Sequence, residues 1–293
     1  MVHATGTPIV IQINHAGRSA SKEITGLQLV APSPDENAAE LQGGDIEALA
    51  DAFDVAAERA VMAGFDGIEI HAPHGYLEHQ FLSPRSNKRT DEYGGSLENR
   101  MRFVIEVYEK IREMIGNAVP VGIRLSGDEH MPGGIPHEEF KVVVRELGTR
   151  GIDYVHLSSG SYEAFDHMFP GKDGTMLAEA AGFKSVLPAH VPVMTPSIHD
   201  PAMAARAIRE GNTDMISLGR QLLIDPEWAN KVQAGKKFRK CTRCSECLMR
   251  TSVSLPVRCL HNPNLGREKY MPEYWRPSRP KGQLVMPQIA PLP

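Results

Sequence analysis

The run GIEIH, Gly67–His71, sets two isoleucines into a short segment that ends on a histidine and passes into a loop, APHG. A short run of this kind, bounded by loop residues, reads as a buried strand of a parallel sheet. Five more punctuate the chain: IVIQI (Ile9–Ile13), VPVGIRL (Val119–Leu125), IDYVHL (Ile152–Leu157), VPVMT (Val191–Thr195) and DMISLG (Asp214–Gly219). The segments between them carry helix signals. Behind Ser96, an N-cap, apolar residues fall at Leu97, Met101, Val104, Tyr108, Ile111 and Ile115 until Gly116 stops the pattern. Ile46, Leu49, Phe53, Ala56 and Ala60 do the same behind Asp45, and Asp-Pro pairs at 200–201 and 225–226 predict an Asp cap before a Pro at the first helical position.

Six strand–helix units fit either a doubly wound open sheet or most of a (β/α)8 barrel. Gln12, His71, Arg124, His156 and Arg220 all fall at or just beyond the C-terminal ends of different strands, where a barrel builds its active site. A Rossmann sheet would carry a GxGxxG turn after its first strand, and this chain has none there. The barrel is the expected fold.

Composition narrows the function. With 41% apolar and 23% charged residues the chain can bury a sizeable core, and a net charge of -4 gives no electrostatic reason to expect nucleic acid or an anionic membrane. No apolar run approaches the ~18 residues of a membrane span. Homo-oligomerisation is left open. All four cysteines lie in CTRCSECLMRTSVSLPVRC, Cys241–Cys259, with the spacing C-x2-C-x2-C-x11-C. A secreted disulfide scaffold is short and spreads its bridges along the chain. Clustered thiols in a long chain with no signal-like start point instead to a reducing cytoplasm and a metal site. Three closely spaced cysteines and a distant fourth suit one four-iron cluster, with zinc as the alternative that composition leaves open.

The stretch FDGIEIHAPHGYLEHQFLSPRSNKRTDEYGGSLENRMRF, Phe65–Phe103, together with QINHAGR, Gln12–Arg18, resembles the old yellow enzyme family of flavin-dependent ene-reductases. The resemblance extends over most of Ala4–Glu268. It implies an FMN-binding TIM barrel over residues 1–238. Reduced flavin would pass hydride to the β-carbon of an activated alkene such as an α,β-unsaturated carbonyl compound or enoyl thioester, and a tyrosine would protonate the neighbouring carbon. Carried over by motif, Tyr76 is the expected proton donor, His71 and His74 the donors to the substrate carbonyl, Gln12 the reader of the flavin pyrimidine edge, and Arg124 the cation beside it. Gly219 and Arg220 in SLGRQLL resemble the phosphate-binding turn. Its companion turn reads MTPSIHDP, where Pro196, lacking an N–H, stands in a usual glycine's place and Ser197 is the substitute donor.

Each of these residues has a plainer reading beside the functional one. Tyr76 alone would be a packed or surface aromatic; His71 and His74, spaced i, i+3, would be a helix-face or metal pair. His156 reads as a polar lining residue, and Arg89, Asp91 and Arg100 as loop-holding ion pairs.

The cysteine set, followed by CLHNPNLGRE (Cys259–Glu268), resembles a subgroup that includes dienoyl-CoA reductase and trimethylamine dehydrogenase. There a [4Fe–4S] cluster passes electrons between FMN and a C-terminal region that binds FAD and a nicotinamide. The resemblance therefore implies a cluster on Cys241, Cys244, Cys247 and Cys259 in a segment spanning 239–268, NAD(P)H as electron source, and an FAD- and NAD-binding region or subunit as partner. KKFRK (236–240) reads as a solvated basic helix end, and residues 269–293 as a proline-rich linker or free end. The family begins with two more strands than this chain has, so the barrel is expected to be N-terminally incomplete and the chain a fragment. Tyr162 stands near the place of a second histidine in dienoyl-CoA reductases, which implies simple ene reduction. Two rival readings remain: an amine or other dehydrogenase on the same scaffold, and an inert fragment that binds only a cluster or a partner.

Overall fold

A computed structural model of the chain describes residues 2–267. The proline-rich tail and Glu268 lie outside the described residues. All six expected strands form, and they pair in parallel in chain order: β1 (Val10–Ile13), β4 (Gly67–His71), β5 (Val121–Ser126), β6 (Tyr154–Ser158), β7 (Val193–Pro196) and β8 (Met215–Ser217). Between β1 and β4 stand two three-residue strands, β2 (Leu29–Ala31) and β3 (Ala38–Glu40), which pair with each other in a separate parallel ribbon. The sequence reading had no expectation of this ribbon.

The sheet is less uniformly apolar than continuous runs imply. Ile68, Ile70, Ile123, Leu125, Val155 and Leu157 are fully buried and join the main core with the helices. The alternate positions, facing the other way by the period of two, include a row of polar side chains: Gln12, Glu69, His71, Arg124, Ser126, His156, Ser158 and Ser217. Parallel pairing aligns them across strands, with Gln12 opposite Glu69, His71 opposite Arg124, and Arg124 opposite His156. Gly122 serves this face directly, because a Cβ there would lie 2.2 Å from the Tyr154 ring. This architecture is the expected partial (β/α)8 barrel.

The helices follow their signals with two corrections. Leu97–Ile115 begins where Ser96 accepts from the Asn99 N–H and ends at Gly116, and Asp200 caps Pro201–Arg209 by accepting from Ala202. The helix Gly43–Met62 starts earlier than the expected Asp45 cap: Gln42 is the cap, Asp45 closes a capping box back onto it, and Ala57 rather than Ala56 joins the buried stripe. At 225–226 the Asp-Pro pair does not open a helix. Asp225 instead ends Arg220–Ile224 and forms an ion pair with Lys231 at 2.7 Å, while the next helix begins at Trp228. An ionic partner reached by folding displaced the local capping role.

By contacts the chain divides into two compact units that meet between Leu218 and Gly219. The first holds the sheet, and the second holds the cysteine segment with the turn at Gly219 and Arg220. Among the described residues no helix is long and apolar enough to cross a membrane.

Candidate active site

At the centre of the polar face sits Glu69, an acid in the middle of a fully buried strand. Its Oε1 accepts from Gln12 Nε2 at 2.5 Å, and its Oε2 lies 3.1 Å from His156 Nδ1. His156 Nε2 in turn contacts Ser217 Oγ at 2.9 Å, so one chain of hydrogen bonds runs from β1 to β8. Burial pushes the Glu69 carboxyl up, but the His156 bond and charge, with Gln12 and Arg124, outweigh it and hold the group below its ordinary range. Arg124 is flanked by this network and by Ser158, whose Oγ lies 3.5 Å from its Nη2, and its Nε has no hydrogen-bond partner among the described residues.

His71, Ala72, Pro73, His74, Gly75 and Tyr76 carry the chain off the C-terminal end of β4. His74 adopts φ 65°, a conformation that a side-chain-bearing residue rarely takes and that marks a constrained position. Two contacts hold it there: Nε2 lies 2.6 Å from Ser158 Oγ, and its backbone bridges to Ser161. The turn brings the His71 and His74 ring centroids to 5.5 Å and those of His71 and Tyr76 to 5.2 Å. The Tyr76 hydroxyl meets the Tyr162 hydroxyl at 2.7 Å. Burial first, then the Arg124 charge, lowers the His71 imidazole to about 4 against the opposing pull of Glu69. The same causes push His74 well below its usual value. Both rings are neutral near pH 7 and offer one N–H each. Burial and the Tyr162 bond raise the Tyr76 phenol, so it stays protonated. What the arrangement can do follows: two neutral donors and one protonated phenol converge beside the half-buried Arg124 cation.

The sequence matches the NADH:flavin oxidoreductase / NADH oxidase family over residues 1–238. The chain belongs to that family. Among its relatives are the "NADH oxidase" of Thermoanaerobacter brockii, 41% identical over 91% of this chain, and the "Cinnamate reductase" of Clostridium sporogenes, 39% identical over 92%. The solved structure of a 2-naphthoyl-CoA reductase complex superposes with a TM-score of 0.86 at 28% identity over 96% of this chain. The chain spans less than half of each, covering 43%, 44% and 46% of their lengths respectively. Membership of this oxidoreductase family agrees with the old yellow enzyme resemblance and brings flavin and NADH as the family's redox partners.

In this member of the family, the first unit gathers Gln12, His71, His74, Tyr76 and Arg124 around the polar face. Sequence reading missed Glu69 and Ser158, which bond Gln12 and His74, and Ser217, which contacts His156. An acid inside GIEIH was the available signal. Arg89 and Arg100 are structural as read: Arg89 donates to Asp91 and to the carbonyls of Pro32 and Leu41, and Arg100 pairs with Glu139 at 2.7 Å. Ser197 belongs to the first unit and has φ 64°, just beyond the strand that Pro196 ends.

Gly219 and Arg220 belong to the second unit, where Gly219 caps the short helix Arg220–Ile224 and a Cβ built on it meets no atom within 4 Å. Arg220 also lines a cavity with all four cysteines. No disulfide joins them. The buried Gln221 fastens the cysteine loop to this helix, accepting from the Cys241 N–H at 3.0 Å and donating to the Arg239 carbonyl at 2.8 Å. Arg243 and Ser245, on either side of Cys244, have φ 56° and 59°, and the Arg243 N–H donates to Cys241 Sγ at 3.4 Å. Among the described residues no three His, Cys, Asp or Glu side chains gather closely enough to hold one metal ion. Four thiols ringed around one cavity are a wider arrangement, compatible in kind with a cluster that takes one thiolate per iron.

Proposed function

We propose that the protein is a flavin-dependent ene-reductase acting on an α,β-unsaturated carbonyl compound or enoyl thioester. The observation that carries this reading is the convergence of two neutral imidazoles and a protonated phenol at the end of β4. Reduced FMN, when bound, would supply the hydride for the β-carbon. His71 and His74 donate hydrogen bonds to the carbonyl oxygen, where negative charge builds as the β-carbon is reduced, and neutral donors held in place cost little reorganisation. Tyr76 delivers its hydroxyl proton to the α-carbon. Gln12, held by Glu69, presents its amide to the pyrimidine edge of the flavin, and Arg124 places a positive charge beside it, favouring an anionic ring. Ser197, Gly219 and Arg220 are assigned to the phosphate end.

Cys241, Cys244, Cys247 and Cys259 are assigned as ligands of a [4Fe–4S] cluster, which would supply the route by which electrons from NAD(P)H reach the flavin. The shared cavity, the left-handed residues around Cys244 and the N–H bond to Cys241 support that assignment. A FAD- and NAD-binding region or subunit is the matching partner, and a reducing cytoplasm the matching compartment for four free thiols. Enone turnover by protein loaded with FMN, measured anaerobically with an artificial reductant, tests the activity apart from the electron route. Loss of turnover in Tyr76→Phe with flavin still bound is the expected result.

A further inference from the structure

The ene-reductase reading leaves one question for the Tyr76 site: once its proton has gone to substrate, what restores it? Tyr76 is half-buried, flanked by the His71 ring, and its hydroxyl faces Tyr162 at 2.7 Å. Tyr162 is 54% exposed. Its ring stands edge-on to Tyr76, centroids 5.7 Å apart at 86°. A phenol in hydrogen-bond contact with another phenol, and with more than half of its own surface in water, is a one-step proton path.

Two clamps hold Tyr162 there, and both tie its loop to the segment that carries Tyr76. On one side the neighbouring Ser161 bridges by backbone to His74. On the other, Glu163 accepts from both guanidinium nitrogens of Arg85, at 2.9 and 2.5 Å. A planar two-point grip of that kind fixes direction as well as distance. An aromatic needed only to cover the site would not require its hydroxyl to be aimed at Tyr76.

We propose that Tyr162 is the positioning and relay residue that returns a proton from bulk water to Tyr76 in each turnover. The step rests on the ene-reductase reading and balances as follows. The Tyr76 O–H bond breaks as a C–H bond forms at the α-carbon, and the O–H electron pair stays on the Tyr76 oxygen. The Tyr162 proton then crosses the hydrogen bond to Tyr76. Tyr162 finally takes a proton from water, and the hydroxide left behind is neutralised by buffer acid.

The test uses protein loaded with FMN, cyclohexenone as the probe alkene, and Tyr162→Phe, Tyr162→His and Tyr76→Phe. In Tyr162→Phe the first turnover proceeds as in the wild type, because Tyr76 starts protonated, while steady-state kcat falls roughly tenfold and KM holds. Tyr162→His restores turnover and adds a pH limb near ~6.5, that of the new imidazole. Without flavin, fluorine NMR of fluorotyrosine-labelled chain shows the Tyr76 resonance, assigned by its loss in Tyr76→Phe, displaced in Tyr162→Phe. Wild-type kcat in Tyr162→Phe, an equal loss in first and later turnovers, or no rescue by histidine overturns the relay while Tyr76→Phe remains slow. If Tyr76→Phe turns over at full rate, or the wild type does not reduce the probe, the underlying reading falls and the relay with it.

Discussion

His156 Nδ1 lies 3.1 Å from Glu69 Oε2, and the opposite oxygen of that carboxylate holds Gln12 at 2.5 Å. One buried acid thus sets the direction of a histidine two strands away and of the amide assigned to the flavin edge. Glu69→Ala is expected to weaken FMN binding roughly tenfold, or ~1.4 kcal/mol, by freeing Gln12. Glu69→Gln, which keeps the shape and one acceptor, should lose less. Quenching of flavin fluorescence on titration measures both.

The neutral histidine pair has a pH signature. His71 sits at about 4 in the fold against an ordinary 6.5. As pH falls below 6.5 the unfolded chain takes up a proton that folded His71 refuses, so its contribution is complete above 6.5 and is lost on the way down to 4. The loss amounts to roughly 3 kcal/mol for this one group. Urea unfolding of the wild type and His71→Gln across that window should show the wild-type stability falling faster with acid.

Arg89 joins three parts of the first unit: it bonds Asp91 in its own loop, Pro32 after β2, and Leu41 after β3. Its side chain is 6% exposed. Arg89→Ala is expected to cost ~3 kcal/mol, and Arg89→Lys to recover little, because an ammonium cannot reproduce the fork. Thermal unfolding followed by circular dichroism would show a drop of roughly 5–10 °C for the alanine variant.

Much of this was legible in sequence because it is local. Each strand of the sheet was marked by its own apolar run, and Ser96 and Asp200 announced helices they do cap. What escaped depends on register or on partners far along the chain. Gln12 and Glu69 are 57 residues apart and meet only because β1 and β4 pair in one register. Tyr76 and Tyr162, 86 residues apart, meet through a loop with no periodic pattern. Asp225 had a sound capping signal, but Lys231 and the Arg239 N–H competed for the same carboxylate and prevailed. β2 and β3, at three residues each, are too short to show alternation.

The cysteine cavity makes a chemical prediction. Anaerobically purified protein is expected to carry about four iron and four sulfide per chain, the content of a single cluster. Serine in place of Cys241, Cys244, Cys247 or Cys259 should lower that content, and Cys244, the exposed thiol, should be the most reactive toward alkylating reagents before iron is added. Elemental analysis showing stoichiometric zinc and no iron contradicts the cluster assignment.

The central claim is that His71, His74 and Tyr76 carry out net hydrogenation of a carbonyl-activated alkene. Its most direct measurement is a single turnover in deuterium oxide: protein with reduced FMN is mixed anaerobically with cyclohexenone, flavin reoxidation is followed by absorbance, and the product is located by mass spectrometry and NMR. The account predicts flavin reoxidation at the rate of product formation, with solvent deuterium at the α-carbon, and loss of α-protonation in Tyr76→Phe by a factor of ~100 or more. Reduced flavin that persists beside unchanged enone, or a Tyr76→Phe variant as fast as the wild type, contradicts it.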